Sequence, residues 1–339
     1  MLPVKLFSIR MALMKGMILA AGFGERLWPL TADRTKPALP VLGKPLVGYV
    51  AEYLASFGIT DVVVNLHHEA ESVRRALGDG SDFGVHLEYV HEPVILGTSG
   101  ALDNARVFLD RETFAVVNGK LITNLDLNAA LAHHRAQNAL ATLVLKRNTA
   151  RERFSMIETH DGLVTRFAGM PSVTQPFADE PPLMFTGIQI LEPRIFDYIP
   201  RTVFSDTVSK VYPQAIANGE RIVAHVAEGM WFELSTLQRY LDISLALLRE
   251  QGRLLYAGRN AAIDSGADVR DSILWDDVRV EGGAIVRRAI LGDRVRIRQG
   301  EVIENCVVVR NEIVTGKKRP AKALTGETRG ENFVVSLSQ

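Results

Sequence analysis

A five-residue apolar run, Met17 to Ala21, stops at Gly22-Phe23-Gly24, and this junction constrains the fold more than any other stretch. An apolar run this short, ended by turn residues, reads as a buried strand. The glycines after it make a loop whose bare backbone N–H groups can close on phosphate. Two cations follow at fixed offsets, Arg26 and Lys36, each ahead of a proline that stiffens its loop, Pro29 and Pro37. Strand, glycine loop and paired cations suit a nucleoside triphosphate. The run is not a Walker loop, because no Gly-Lys-Ser/Thr follows, nor the dinucleotide fingerprint, because the third glycine is missing. On spacing alone, a plain tight turn stays open as the alternative.

Downstream, apolar strands alternate with amphipathic helices. Leu46 to Phe57, Ala70 to Leu77, Ser99 to Phe108 and Asn128 to Gln137 read as helices; Asp61 to Leu66, His86 to Val90, Phe114 to Asn118 and Ala141 to Lys146 read as strands. This predicts an α/β fold: a doubly wound, mostly parallel, Rossmann-like sheet whose ligands sit at the carboxyl ends of strands. Chemistry is therefore expected in the loops after Ala21, Leu66, Val90 and Asn118.

From Glu152 the pattern becomes hairpin-like, with Asp161-Gly162 as the turn. A proline- and acid-rich loop runs from Pro171 to Pro182. A strand at Phe185 to Leu191 follows, then helices near Pro193 to Tyr198, Val208 to Ala217 and Thr236 to Arg253. Beyond Tyr256 apolar residues recur at sixes: Ile263, Val269 and Trp275; Val280 and Val286; Ile297, Ile303 and Val309. That period predicts a small left-handed parallel β-helix, with an irregular meander as the alternative because the phase slips twice. The expected organisation is an N-terminal extension (1–13), a catalytic domain (14–255), the β-helix (256–314) and a poorly ordered Lys/Gly/Thr-rich tail (315–339).

Composition narrows the partners. The 39 Lys and Arg balance 39 Asp and Glu, so no global field draws the chain to nucleic acid or an acidic membrane. No run approaches a membrane span. Lys15 and Gly16 interrupt what would be a signal-peptide core, and Met11 or Met14 can serve as the start. The one cysteine, Cys306, cannot form an intrachain disulfide. A cytoplasmic protein is expected.

The run Gly22-x-Gly24-x-Arg26-x-x-Pro29-Leu30-Thr31, with Lys36-Pro37 further on, resembles the signature of the sugar-1-phosphate nucleotidyltransferases, and Leu96 to Gly100 with Phe185 to Gln189 most resemble the mannose-1-phosphate guanylyltransferases among them. The resemblance implies an enzyme that joins a sugar 1-phosphate to a nucleoside triphosphate and releases pyrophosphate. The attacking phosphate oxygen is already ionised, so alignment and charge neutralisation do the work. Arg26 and Lys36 would be catalytic: Arg26 can grip two phosphate oxygens, and Lys36 adds a point charge. Ala20, Ala21, Gly22, Gly24, Glu92, Gly97 and Thr98 would bind the nucleotide. Glu92-Pro93 and Leu96 to Gly100 resemble the family's base-side segment, where the Glu92 carboxylate can accept from a guanine amino group. On its own, that run is a helix start with Thr98 or Ser99 as N-cap. Phe185-Thr186-Gly187 resembles the sugar-side segment; Gly187, Asn118 and Lys120 would bind the sugar phosphate. On its own, Gly187 reads as a strand bulge.

The departures concern Mg²⁺, which the family's pattern implies. Its first metal aspartate is Lys120 here, and its second is Glu233, within Trp231 to Thr236. Magnesium demands hard oxygen ligands, and an ammonium about 4 Å away repels it by on the order of 8 kcal/mol at an effective dielectric near 20. Glu233 can still ligate. Asp126 is a substitute ligand or the N-cap of the next helix. A Glu-Lys-Pro segment common in the family is missing near Phe167-Ala168-Gly169. Two functions follow: a nucleotidyltransferase with a rearranged metal site, or a nucleotide-binding regulatory relative. GTP with mannose 1-phosphate leads among substrates, with heptose or N-acetylated sugar phosphates close behind. The open end of the β-helix offers a route to a homo-oligomer.

Overall fold

The computed structural model describes residues 14–149, 152, 154–167 and 180–338. The expected extension 1–13, the positions Ala168 and Gly169, and residues 171–179 of the proline-rich loop lie outside them. The chain divides into two units. The first takes the chain up to Ala21, Val47–Ala70 and Leu77–Trp231; the second takes Gly22–Leu46, Glu71–Ala76 and Phe232 onward. By packing, Phe232 to Tyr256 and the glycine loop group with the C-terminal unit.

The first unit is built on one nine-stranded sheet: β1 (Lys15–Leu19), β2 (Asp61–Leu66), β3 (His86–His91), β4 (Phe114–Asn118), β5 (Ala141–Arg147), β6 (Met156–His160), β7 (Leu163–Phe167), β8 (Leu183–Leu191) and β9 (Ile222–Val226), in the order β3-β2-β1-β4-β8-β5-β9-β7-β6. Its first half, β3-β2-β1-β4, is wholly parallel, as the strand–helix alternation predicts. Strand β8 then enters antiparallel between β4 and β5, so the sheet is mixed beyond that point. Strand order reverses between β1 and β4, and the carboxyl ends at such a reversal are where open α/β sheets place their ligands.

The intervening helices are α1 (Leu46–Ser56), α2 (Ala70–Leu77), α3 (Gly97–Asn104), α4 (Arg106–Leu109), α5 (Leu127–Ala136) and α6 (Tyr212–Ala217). Asp126 proves to be an N-cap: its carboxylate accepts from Asn128 N at 2.9 Å and Ala129 N at 3.2 Å. The expected helix Val208 to Ala217 begins instead as a π-turn over Thr207–Val211. Pro213 lacks the N–H that would close an ordinary turn onto Ser209. The core packs Met17, Phe114, Val116, Leu143 and Leu145, with Phe114 stacked on Phe196 at 5.8 Å. Each such side chain contributes roughly 1.5–3 kcal/mol by leaving water.

In the second unit, α7 (Leu237–Glu250), capped by the Thr236 hydroxyl, leads into a parallel β-helix. Its strands are β10 (Leu255–Ala257), β11 (Ala262–Ile263), β12 (Asp268–Arg270), β13 (Ser272–Leu274), β14 (Arg279–Val280), β15 (Ile285–Arg287), β16 (Ile290–Leu291), β17 (Arg296–Ile297), β18 (Val302–Glu304) and β19 (Cys306–Arg310). Ile263 lies beside Val280 and then Ile297, and Leu274 beside Leu291 and then Val308, so each coil takes 17 residues. Three sixes would make 18. One side is therefore a residue short, which is the phase slip seen in the sequence. The third inward position is Leu274, Leu291 or Val308; Trp275 and Val309, one residue later, lie outside the inner stack.

Left-handed backbone recurs at the same step of 17, at Gly266, Gly283 and Gly300 and at Asp271, Arg288 and Asn305. These are the coil corners, where a side chain other than Gly, Asn or Asp costs energy. Leu291, fully buried between Leu274 and Val308, tests this packing. Leu291→Ala is expected to cost about 3 kcal/mol in urea unfolding, and a cost under about 1 kcal/mol would contradict tight stacking here.

A second prediction concerns acid. Asp268 meets Arg270 at 2.6 Å and Arg287 of the next coil, and these guanidinium groups push its carboxyl down to about 2. A depressed folded value gives stability that is present above the unfolded value of about 3.9 and lost as pH falls through the folded one. The stability gap between the chain and Asp268→Asn should be flat above about pH 5 and shrink below about pH 4. Urea melts across that range check it; a gap indifferent to pH refutes it.

The segment expected as a disordered tail carries strands β20 (Glu327–Arg329) and β21 (Asn332–Ser336). β21 pairs antiparallel with β19 from Cys306↔Ser336 to Arg310↔Asn332 and closes that edge of the last coil. The edge proposed for self-association is thus already taken on this side. No helix among the described residues is long and apolar enough to cross a membrane.

Candidate active site

In the second unit, Gly24 adopts φ +68° and opens a short 3₁₀ turn over Glu25–Leu27. A side chain at Gly24 would press within 2.9 Å of Lys36 Cβ, so glycine is what lets the two ends of the loop meet. Thr35 ties them again, its hydroxyl donating to Gly22 O at 3.2 Å and its N–H to Ser72 Oγ at 3.0 Å. Leu27, Leu30 and Leu39 are buried beneath, while Gly22, Phe23 and Arg26 are exposed and Lys36 is half-buried. Gly22, Gly24, Arg26 and Lys36 thus share one braced loop. Glu233 also belongs to this unit; it is buried, and its carbonyl accepts from Arg239 Nε at 3.1 Å.

In the first unit, the carboxyl ends of β1, β2 and β3 are joined by side-chain bonds. Ala20 N donates to Asn65 Oδ1 at 2.8 Å, and Asn65 Nδ2 donates to Glu92 Oε1 at 2.6 Å. Glu92 Oε2 accepts from Leu96 N at 2.9 Å. Glu92 is buried, and both of its oxygens are engaged within the chain. The carboxylate that the sequence offers to a guanine amino group is therefore a brace between β2 and the Leu96 loop. A nucleobase reaching it would have to displace one of these bonds.

Gly97, at φ +75°, starts α3. Neither Thr98 nor Ser99 caps it. The Ser205 carbonyl accepts from Ser99 N at 3.1 Å and Gly100 N at 3.2 Å, capping the helix from across the fold. Thr98 lies inside the helix; its hydroxyl donates to Asp206 Oδ2 at 2.9 Å and accepts from Thr207 N at 2.9 Å. Gly187 is both a bulge and a close approach. The β8–β5 ladder skips between Phe185 and Ile188, Gly187 has φ +82°, and a Cβ there would overlap the Asn118 carboxamide, with its Cγ 2.9 Å away. Gly119 N donates to Leu19 O at 2.8 Å, joining β4 to β1, and Lys120 N donates to Asn118 O at 2.8 Å.

The structure therefore gathers Ala20, Glu92, Gly97 and Thr98 through Asn65 and the 205–207 segment, and it sets Asn118 against Gly187 with Lys120 next along the chain. Sequence reasoning missed Asn65, Ser205 and Asp206. Asn65 had a signal, a lone amide in a valine-rich strand; Ser205 acts through its carbonyl, which no residue type reveals.

A carboxylate-built magnesium site does not fit these residues. Among the described residues no group of three or more His, Cys, Asp or Glu side chains gathers to hold a metal ion. Position 120 brings an ammonium, and Asp126 spends its carboxylate on the α5 cap.

A family model described as nucleotidyl transferase matches residues 15–250, and one described as GlmU-like, C-terminal hexapeptide, matches 258–319. The chain is 35% identical to an N-acetylmuramate alpha-1-phosphate uridylyltransferase of Neisseria meningitidis, over 67% of this chain and 95% of that one. It is 30% identical to a UTP–glucose-1-phosphate uridylyltransferase of Synechocystis, over 79% and 72%. It is 29% identical to a mannose-1-phosphate guanylyltransferase of Mycobacterium tuberculosis, over 78% and 80%. The crystal structure of a putative glucose-1-phosphate thymidylyltransferase from Bacillus anthracis shares the fold, with TM-score 0.60 and 24% identity over 70% of this chain and 96% of that one.

Proposed function

The chain belongs to the nucleotidyl transferase family, and we propose that it joins a sugar 1-phosphate to a nucleoside triphosphate, releasing pyrophosphate, with GTP and mannose 1-phosphate as the leading pair. One observation carries the reading: Gly24, in left-handed backbone against Lys36, holds a loop whose buried leucines leave Arg26 exposed. Backbone N–H groups and two cations on one braced loop are what a polyphosphate requires. The sugar phosphate, already ionised, supplies its own nucleophile, so the chain has only to align it and neutralise the departing pyrophosphate. Arg26 and Lys36 act on the triphosphate; Asn118, Gly187 and Lys120 act on the sugar phosphate.

The ammonium at 120 favours a second reading, nucleotide binding without turnover. A pyrophosphate-release screen separates the two, pairing GTP, UTP, ATP and dTTP with mannose, glucose and N-acetylmuramate 1-phosphates, with and without Mg²⁺. Release from GTP with mannose 1-phosphate above every other pair supports the first choice. Release only from UTP replaces the base and keeps the reaction. No release from any pair, with nucleotide still bound, assigns the regulatory reading, and recovery in the double variant Lys120→Asp with Glu233→Asp would trace the loss to those two positions.

A further inference from the structure

Within its own unit, the glycine loop is anchored at both of its flanks by residues from the C-terminal third of the chain. On one flank, Trp28 meets Phe333 of β21 edge-on at 5.3 Å, the Lys317 ammonium donates to Ala32 O, and Lys322 lies 4.0 Å from the Glu25 carboxylate. On the other, Arg34 Nη2 reaches Asp293 Oδ2 at 2.7 Å while its guanidinium lies over the Trp275 ring, 5.2 Å from the centroid. The Trp275 indole donates to Tyr240 of α7 at 3.0 Å, and the Tyr240 hydroxyl donates back to the loop at Pro40 O. Asp33 holds Arg34 through two further bonds, at 2.9 and 3.1 Å, so the guanidinium plane is fixed on two sides.

Arg26 falls between Glu25 and Trp28, and Lys36 lies two residues beyond Arg34. Each cation thus sits next to a point where the loop is tied down. The stretch from Gly22 to Leu46 contains only short 3₁₀ turns and a two-residue hairpin, which is too little regular structure to hold two cations in place by itself. Misplacing a charged group by about 1 Å can cost about a hundredfold in an aligned reaction.

We propose that the β-helix and its closing hairpin are the positioning device of the glycine loop, with Arg34, Asp293 and Phe333 as positioning residues for triphosphate binding. The proposal rests on the reading that this loop takes a triphosphate. It assigns the C-terminal part of the chain to the nucleotide site rather than to assembly alone.

The test titrates UTP and GTP by calorimetry into the full-length chain and into Arg34→Ala, Asp293→Ala, their double variant and Phe333→Ala. Amide hydrogen exchange is followed in parallel. Each single variant should weaken nucleotide binding about tenfold. The double variant should be no worse than the weaker of its two parents, because one tie is being cut twice. Arg34→Lys should recover only part, since lysine cannot keep the fork and the ring contact. Amides of 24–36 should exchange about tenfold faster, with those of Val62–Val64 unchanged. The KM for sugar 1-phosphate should stay within about twofold. Where an alanine variant unfolds, Asp293→Asn removes the charge with its shape kept and carries the same expectations. Equal nucleotide affinity and equal exchange in these variants overturn the positioning role alone. Failure of the unaltered chain to bind either nucleotide overturns the triphosphate reading as well.

Discussion

Arg26→Ala should slow pyrophosphate release about a thousandfold, roughly 4 kcal/mol in the barrier. The side chain is exposed on the turn between Gly24 and the buried Leu27, so its removal leaves no cavity and should alter stability by less than about 0.5 kcal/mol. Charge on the departing pyrophosphate is what a guanidinium neutralises best, because its fork meets two oxygens at once. Arg26→Lys restores charge without the fork and should recover about tenfold of the loss. The check is steady-state pyrophosphate release at saturating sugar 1-phosphate, beside a thermal melt. A turnover number that survives the alanine intact removes Arg26 from the chemistry.

Gly97→Ala is expected to weaken nucleotide binding about a hundredfold, close to 3 kcal/mol. The backbone there has φ +75°, and a Cβ would overlap the Ser205 carbonyl while coming within 3.1 Å of Phe204. That carbonyl cannot retreat, because it is the acceptor that caps α3 through Ser99 and Gly100. A methyl therefore costs backbone strain and the cap together. Displacing Ser205 also disturbs Asp206 and Thr207, which hold Thr98. Calorimetric titration of GTP and UTP measures the loss; affinity within threefold of the unaltered chain would show that the loop tolerates a shift.

Much of this was legible beforehand, and the reason differs by element. Asp61–Leu66, Ala70–Leu77 and Phe114–Asn118 have the same bounds in the sequence pattern as in the structure, because periodicity and turn residues are local signals. The phase slip in the β-helix was visible but not its cause. A coil of 17 is a property of corners stacking on corners, and so of residues far apart in the sequence. The hairpin at Glu327 to Ser336 leaves no mark in the sequence, because its strands are short and lie among Lys, Gly and Thr. Only β19 beside β21 makes it a strand. The sequence offers Glu92 as a candidate nucleotide ligand and carries no signal for which way its carboxylate faces. Asn65 and the Leu96 amide decide that.

By itself the sequence determined which groups are available: a glycine loop, Arg26, Lys36, an ammonium at 120, and strands that must bury both faces. Those follow from residue chemistry and local pattern, and they hold in any fold the chain adopts. Only the tertiary structure decided what each group is bonded to. It turned Glu92 inward, made Asp126 a cap, let Ser205 close α3, and tied the loop's flanks to Asp293 and Phe333. Hydrogen bonds and ring contacts depend on ångström distances between residues up to hundreds of positions apart. Composition and spacing carry no record of those distances until the chain has folded.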